Sequence, residues 1–119
     1  MAVSVGTAFL PVRDPEAAAP WYEKALGLVA TDVNQWSAQL RRPGAESTAL
    51  TLMGPLSGIK AEPGLPFATC NFVADDLEDL RGRLDAEGLA PSLLDGSPDT
   101  CLFFTVSDPD GNLLLVVDR

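Results

Sequence analysis

One pattern occurs twice in this chain, and it constrains the fold more than any other feature. Val12-x-Asp14 … Gly27-Leu28 returns half a chain later as Val73-x-Asp75 … Gly88-Leu89. Self-similarity at a half-chain period means two copies of one supersecondary unit. Around each copy the same order of signals appears: strand, helix, strand, strand, strand. A fold built from this chain must therefore place two βαβββ units in tandem.

In the first copy, Val3 to Val12 reads as a strand. Asp14 caps a helix, Pro15 suits its first position and Glu16 suits the positive end of its dipole. The helix runs to about Leu26 and stops at Gly27, a left-handed cap. Ala18, Trp21, Tyr22 and Ala25 form its packing stripe, with Trp21 in the core and the Tyr22 hydroxyl at the surface. Pro20 removes one helical hydrogen bond, which predicts a kink or a distorted first turn. Three strand signals follow, at Leu28–Asp32, Gln35–Arg41 and Ser47–Met53, with turns at Asn34 and Pro43-Gly44.

Gly54 to Pro66 holds prolines and glycines with almost no period and reads as a linker. The second copy opens with a strand over Phe67–Ala74. Asp76 caps a helix whose Leu77, Leu80 and Leu84 share one face, Asp79 completes an approximate capping box, and Gly88 closes it. Strand signals follow at Pro91–Leu94, Cys101–Val106 and Asn112–Val117. Between the last two lies Ser107-Asp108-Pro109-Asp110-Gly111-Asn112, a tight turn in which Pro109 pre-sets φ and Gly111 supplies a positive one. The chain of 119 residues is thus one domain, with module one over about 1–54, a linker over about 55–66 and module two over about 67–119.

Charge and composition exclude several functions. With 8 basic against 17 acidic residues, the net charge is −9. Nucleic acid is excluded as a partner, because phosphate binding needs clustered Lys and Arg; an anionic membrane surface is disfavoured for the same reason. There is no histidine, which removes His-based triads, His general bases and the commonest metal ligand together. The two cysteines, Cys70 and Cys101, lie far apart in sequence and form neither a disulfide framework nor a zinc knuckle. No signal-peptide pattern or membrane-length apolar run is present, so the expected location is cytoplasmic.

Three sets of residues, in this order, resemble the vicinal oxygen chelate superfamily, the glyoxalase / bleomycin resistance / extradiol dioxygenase family. The first is Pro11-Val12-Arg13-Asp14-Pro15-Glu16 … Trp21-Tyr22 … Leu26-Gly27-Leu28. The second is Phe72-Val73-Ala74-Asp75-Asp76-Leu77-Glu78 … Gly88, and the third is Asp108-Pro109-Asp110-Gly111-Asn112-Leu113. The resemblance spans nearly the whole chain. It implies an α+β fold in which two tandem βαβββ modules form curled mixed sheets around a cavity. It also implies a homodimer, with a cavity that often draws on both chains.

Metal-dependent members of that family place ligands on the first strand of each module and shortly after the Asp-Pro-Asp-Gly-Asn turn. Carried over residue by residue, the first-strand positions are Thr7 and Thr69, or Ala68 if Asp75 rather than Asp76 is the reference. The carboxylate expected three residues after Asn112 falls on Leu115, and the strand Ser47–Met53 offers only Ser, Thr, Leu, Ala and Met. None of these is a side chain that holds a catalytic divalent metal. The expectation is no metal and no cofactor.

Strand parity then sorts the side chains. Thr7, Phe9, Thr69 and Asn71 fall on the cavity side, with Cys101, Phe103, Thr105, Leu113 and Leu115. Ala8, Leu10, Val12, Cys70, Phe72, Phe104, Val106, Leu114 and Val116 fall under the helices. Trp36 either lines the cavity or caps the sheet edge. The candidate ligand-binding residues are therefore Thr7, Phe9, Trp36, Thr69, Asn71, Phe103, Thr105 and Leu115, with no catalytic residue. Apolar and aromatic side chains with a few neutral polar groups suit a small organic ligand, aromatic or cationic. The leading expectation is a metal-free drug- or metabolite-binding protein of the bleomycin-resistance type, which sequesters its ligand. The alternatives are an enzyme of the same fold (lyase, isomerase or dioxygenase-like) using non-standard groups, and a non-catalytic regulatory or interaction module.

Overall fold

A computed structural model describes residues 2–119. The chain forms two compact units, one ending at Gly64 and the other spanning Leu65–Arg119. Each is a βαβββ module with a four-stranded mixed sheet, and together they make the expected α+β fold.

In the first unit, β1 (Ala8–Pro11) leads to α1 (Pro15–Leu26), then to β2 (Val29–Thr31), β3 (Ser37–Arg41) and β4 (Leu50–Met53). The sheet order is β1-β4-β3-β2, with β1 parallel to β4 and the other pairs antiparallel. The sequence that forms α1 caps it as predicted: Asp14 Oδ1 accepts the Glu16 N–H at 3.0 Å, and Gly27 ends it at φ +69°. The helix runs through Pro20 without a break. The bond that Pro20 forgoes would go to the Glu16 carbonyl, and both residues are exposed, so water can serve that group. Ala18, Ala19, Tyr22 and Ala25 bury the helix face beneath Leu10, Ala38, Leu40, Leu50 and Leu52 of the sheet. Each leucine buried there is worth roughly 1.5–3 kcal/mol.

One assignment on α1 is reversed. Tyr22 is fully buried and Trp21 only half-buried, the two rings meeting edge to face with centroids 5.0 Å apart. The buried stripe runs 18, 19, 22 and 25, which centres Tyr22 and leaves Trp21 on its margin.

The second unit repeats the plan: β5 (Asn71–Val73), α2 (Leu77–Ala86), β6 (Asp95–Gly96), β7 (Leu102–Ser107) and β8 (Leu113–Val117), in the order β5-β8-β7-β6 with β5 parallel to β8. Asp76 Oδ1 caps α2 through the Asp79 N–H at 3.2 Å. Past its end, Gly88 at φ +80° lets the Leu89 N–H reach back to the Leu84 carbonyl at 3.1 Å, a Schellman closure beside the fully buried Leu84. Phe104, Val106, Leu114 and Val116 are buried, as parity predicts.

Several strands are shorter than the apolar runs that announce them. The run from Val3 yields pairing only from Ala8, and the run from Phe67 only from Asn71. For β1 the partner sets the limit, since β4 begins at Leu50 opposite Ala8; β8 begins two residues before the Asn71–Leu115 pair, and there its Leu113 N–H goes to the Leu65 carbonyl at 3.0 Å instead. Pro91–Leu94, expected as a strand, is not one; the strand there is Asp95–Gly96. Pro91 lacks an N–H and Ala90 before it sits at φ +52°, so the chain enters the sheet late. The 54–66 stretch, read as a linker, contains a 3-10 turn at Pro55–Ser57.

Candidate functional site

Each sheet has one face covered by its own helix and one face that the helix leaves open. Register assigns residues to these faces without ambiguity, because directly paired residues share a side.

On the open face of the first sheet, Phe9, Thr51, Gln39 and Thr31 form one row across β1, β4, β3 and β2. Phe9 is 54% exposed. Thr51 beside it is only 7% exposed. Thr7 precedes β1 and joins this group: its hydroxyl lies 3.0 Å from that of Thr51 and donates to the Ala8 carbonyl at 3.2 Å. The Thr48 hydroxyl donates to Gln39 Oε1 at 3.0 Å. Trp36 immediately precedes β3, so its parity is that of Ala38 and Leu40 rather than of Gln39. It is half exposed, and the loop there is fixed by Asn34 Oδ1, which accepts the N–H groups of Trp36 and Ser37 at 2.8 and 3.1 Å.

On the open face of the second sheet, Asn71, Leu115 and Thr105 make one row across β5, β8 and β7. Val73, Val117, Phe103 and Asp95 make the next. The free edge of β7 at Thr105 is closed by Ser92: its N–H donates to the Thr105 carbonyl and its Oγ accepts the Thr105 N–H, both at 2.8 Å. Arg81 Nε holds the Ser92 carbonyl at 2.7 Å. Thr69 lies before β5, exposed and outside the paired rows. Thus register groups Asn71, Thr105 and Leu115 in one row and Phe103 in its neighbour, while Thr7 and Phe9 meet on the other module's sheet.

Thr51 and Gln39 occupy central positions on their face and were not among the residues singled out from sequence. The signal was present in the alternation Leu50-Thr51-Leu52 and Ala38-Gln39-Leu40, where a single polar residue between two apolar ones marks the uncovered side.

The donor chemistry does not fit a divalent metal ion. The row position expected to supply a carboxylate is Leu115, which has no lone pair to give. Its neighbours Asn71 and Thr105, like Thr7 and Thr51 in the first unit, offer only neutral oxygens. Among the described residues no group of three His, Cys, Asp or Glu is placed to hold a metal. Among the described residues that register assigns to these faces, the charged ones are Arg41 and Asp95, at the sheet margins. Arg41 Nη1 donates to the Glu46 carbonyl at 3.3 Å, and Asp95 Oδ1 accepts the N–H of Gly96 at 2.7 Å. Cys70 has the covered-side parity and burial pushes its thiol pKa up, away from thiolate reactivity.

The family model described as Glyoxalase/Bleomycin resistance protein/Dioxygenase superfamily matches residues 4–116. Among solved structures, a member of that superfamily from Sphaerobacter thermophilus DSM 20745 is similar at 24% identity and a TM-score of 0.81, covering 99% of this chain and 98% of its own. A bleomycin resistance determinant encoded on the transposon Tn5 is similar at 20% identity and a TM-score of 0.72, covering 98% of each chain. A lactoylglutathione lyase from Agrobacterium tumefaciens is similar at 20% identity and a TM-score of 0.72, covering 98% of this chain and 93% of its own. At these identities the likeness is one of fold. No curated protein matches the chain at a significant level.

Proposed function

Because the chain belongs to the glyoxalase/bleomycin resistance protein/dioxygenase superfamily, we propose that it binds a small organic molecule, a drug or a metabolite, without using a metal. The observation that carries this reading is Leu115 at the centre of the row Asn71–Leu115–Thr105, where a metal-dependent relative needs a carboxylate. The uncovered sheet faces support it further. They combine Phe9, Phe103 and aliphatic side chains with a few neutral hydrogen-bonding groups, the mixture that holds organic ligands by shape and stacking. The likeness to a bleomycin resistance determinant points to sequestration as the purpose of binding. On this reading the protein acts in the cytoplasm as a homodimer; Thr7, Phe9 and Trp36 contribute contacts in the first module, and Thr69, Asn71, Phe103, Thr105 and Leu115 in the second.

A thermal-shift screen of the whole chain against aromatic antibiotics and common metabolites tests the proposal. A ligand at a hundredfold excess over its Kd adds about 2.7 kcal/mol to stability. At least one compound should raise the melting temperature by several degrees in the presence of a chelator. A screen in which compounds act only after a divalent metal is added would overturn the reading.

A further inference from the structure

The open face of the first module carries a row whose hydrogen-bonding capacity specifies more than a generic small molecule. We infer that Thr51 and Gln39, flanked by Phe9, form a binding site for a neutral planar ring bearing an amide. This rests on the small-molecule reading above and names the chemical class that this face takes.

The Thr7 hydroxyl spends its proton on the Ala8 carbonyl at 3.2 Å. In the 3.0 Å contact between the two threonines, Thr51 is then the donor, and its oxygen keeps lone pairs to accept with and no proton to give. Next to it in register, Gln39 has its Oε1 occupied by the Thr48 hydroxyl at 3.0 Å, which leaves the two Nε2 protons for another acceptor. Residues paired this way across a sheet stand about 5 Å apart. An acceptor and a donor therefore sit side by side, and the complementary group presents an N–H beside a carbonyl. Phe9, paired with Thr51 on the other side and 54% exposed, offers a ring for the rest of a planar molecule.

Charge on this face selects against ions. No residue that register assigns to it carries a carboxylate, so a cation entering the row would lose its water without a compensating partner. Among the described residues that register assigns to this face, Arg41 is the one cation, at the last residue of β3 and engaged with the Glu46 carbonyl. The central position, Thr51, is only 7% exposed, so a charge held against it gives up part of its hydration.

The test applies to the whole chain three benzene-ring probes that differ in charge: neutral benzamide, anionic benzoate and cationic benzylamine. In titrations followed by amide chemical shifts, benzamide should move the resonances of Thr51, Gln39 and Phe9 and bind at least tenfold more tightly than either ion. Thr51→Val and Gln39→Leu should each weaken benzamide about tenfold, and Gln39→Glu should reverse the preference toward benzylamine. Benzylamine binding as tightly as benzamide to the natural chain would overturn the inference, as would benzamide affinity unmoved by all three substitutions. If aromatic antibiotics raise the melting temperature while benzamide does not bind, the amide site falls and the small-molecule reading stands.

Discussion

Asn112 has no exposed surface, and each polar atom of its side chain has a fixed task. Its Nδ2 donates to Asp108 Oδ2 at 2.9 Å, and its Oδ1 accepts the Leu65 N–H at 2.9 Å. Asp108 Oδ1 in turn accepts the N–H groups of Asp110 and Asn112, both at 2.9 Å, while Leu113 N–H returns to the Leu65 carbonyl at 3.0 Å. The turn therefore does two jobs: it joins β7 to β8, and it grips the segment that opens the second module. Replacing Asn112 by alanine takes the acceptor from the part-buried Leu65 N–H and one donor from the buried Asp108 carboxylate, so Asn112→Ala should cost about 2–4 kcal/mol. Denaturant unfolding reads the loss, and hydrogen exchange at Leu65 should accelerate with it. Unchanged exchange at Leu65 would show that the grip is made elsewhere. The turn itself was legible in Asp-Pro-Asp-Gly-Asn. The Leu65 contact was not, because nothing local announces a bond across 47 residues.

At the scale of elements, both helices are legible to the residue because their stops are local: Asp14 and Asp76 cap the starts, and Gly27 and Gly88 take the left-handed positions that follow the ends. Strand ends are not local, since pairing ends where a partner ends. That is why the stretch before Ala8, Thr7 included, stays outside its sheet; before Asn71, where β8 runs on to Leu113, the Leu113 N–H is taken by the Leu65 carbonyl and Thr69 precedes its strand. Parity survives these errors. Asn71, Leu115 and Thr105 fall on one side whether the first strand starts at Phe67 or at Asn71. The one element misassigned outright, Pro91–Leu94, is preceded by strain: Ala90 holds φ +52° immediately before a proline. A left-handed alanine costs about 1–2 kcal/mol, part of which glycine gives back through the unfolded chain. Ala90→Gly should therefore raise stability by about 0.5–1 kcal/mol in chemical denaturation. A variant less stable than the natural chain would mean that the loop draws on the alanine side chain.

At the scale of the whole molecule, the repeat seen in sequence is repeated in topology: in each module the first strand returns to pair in parallel with the fourth. Net charge and local charge address different questions. A charge of −9 biases which molecules approach, favouring cations over anions at low salt. It does not decide what fits, because the rows on the uncovered faces are almost free of ions and the acidic residues Glu78, Asp79, Asp85 and Glu87 are exposed on or just beyond α2. The central claim is that binding in this chain is independent of a metal, and it rests on Leu115 and on the absence of histidine from the sequence. It is tested most directly by measuring the Kd of the strongest ligand from the thermal screen twice: in excess chelator, and after adding one equivalent of zinc, manganese, nickel or iron. The account predicts the same Kd in both. Binding that vanishes with the chelator and returns at one equivalent of metal would contradict it.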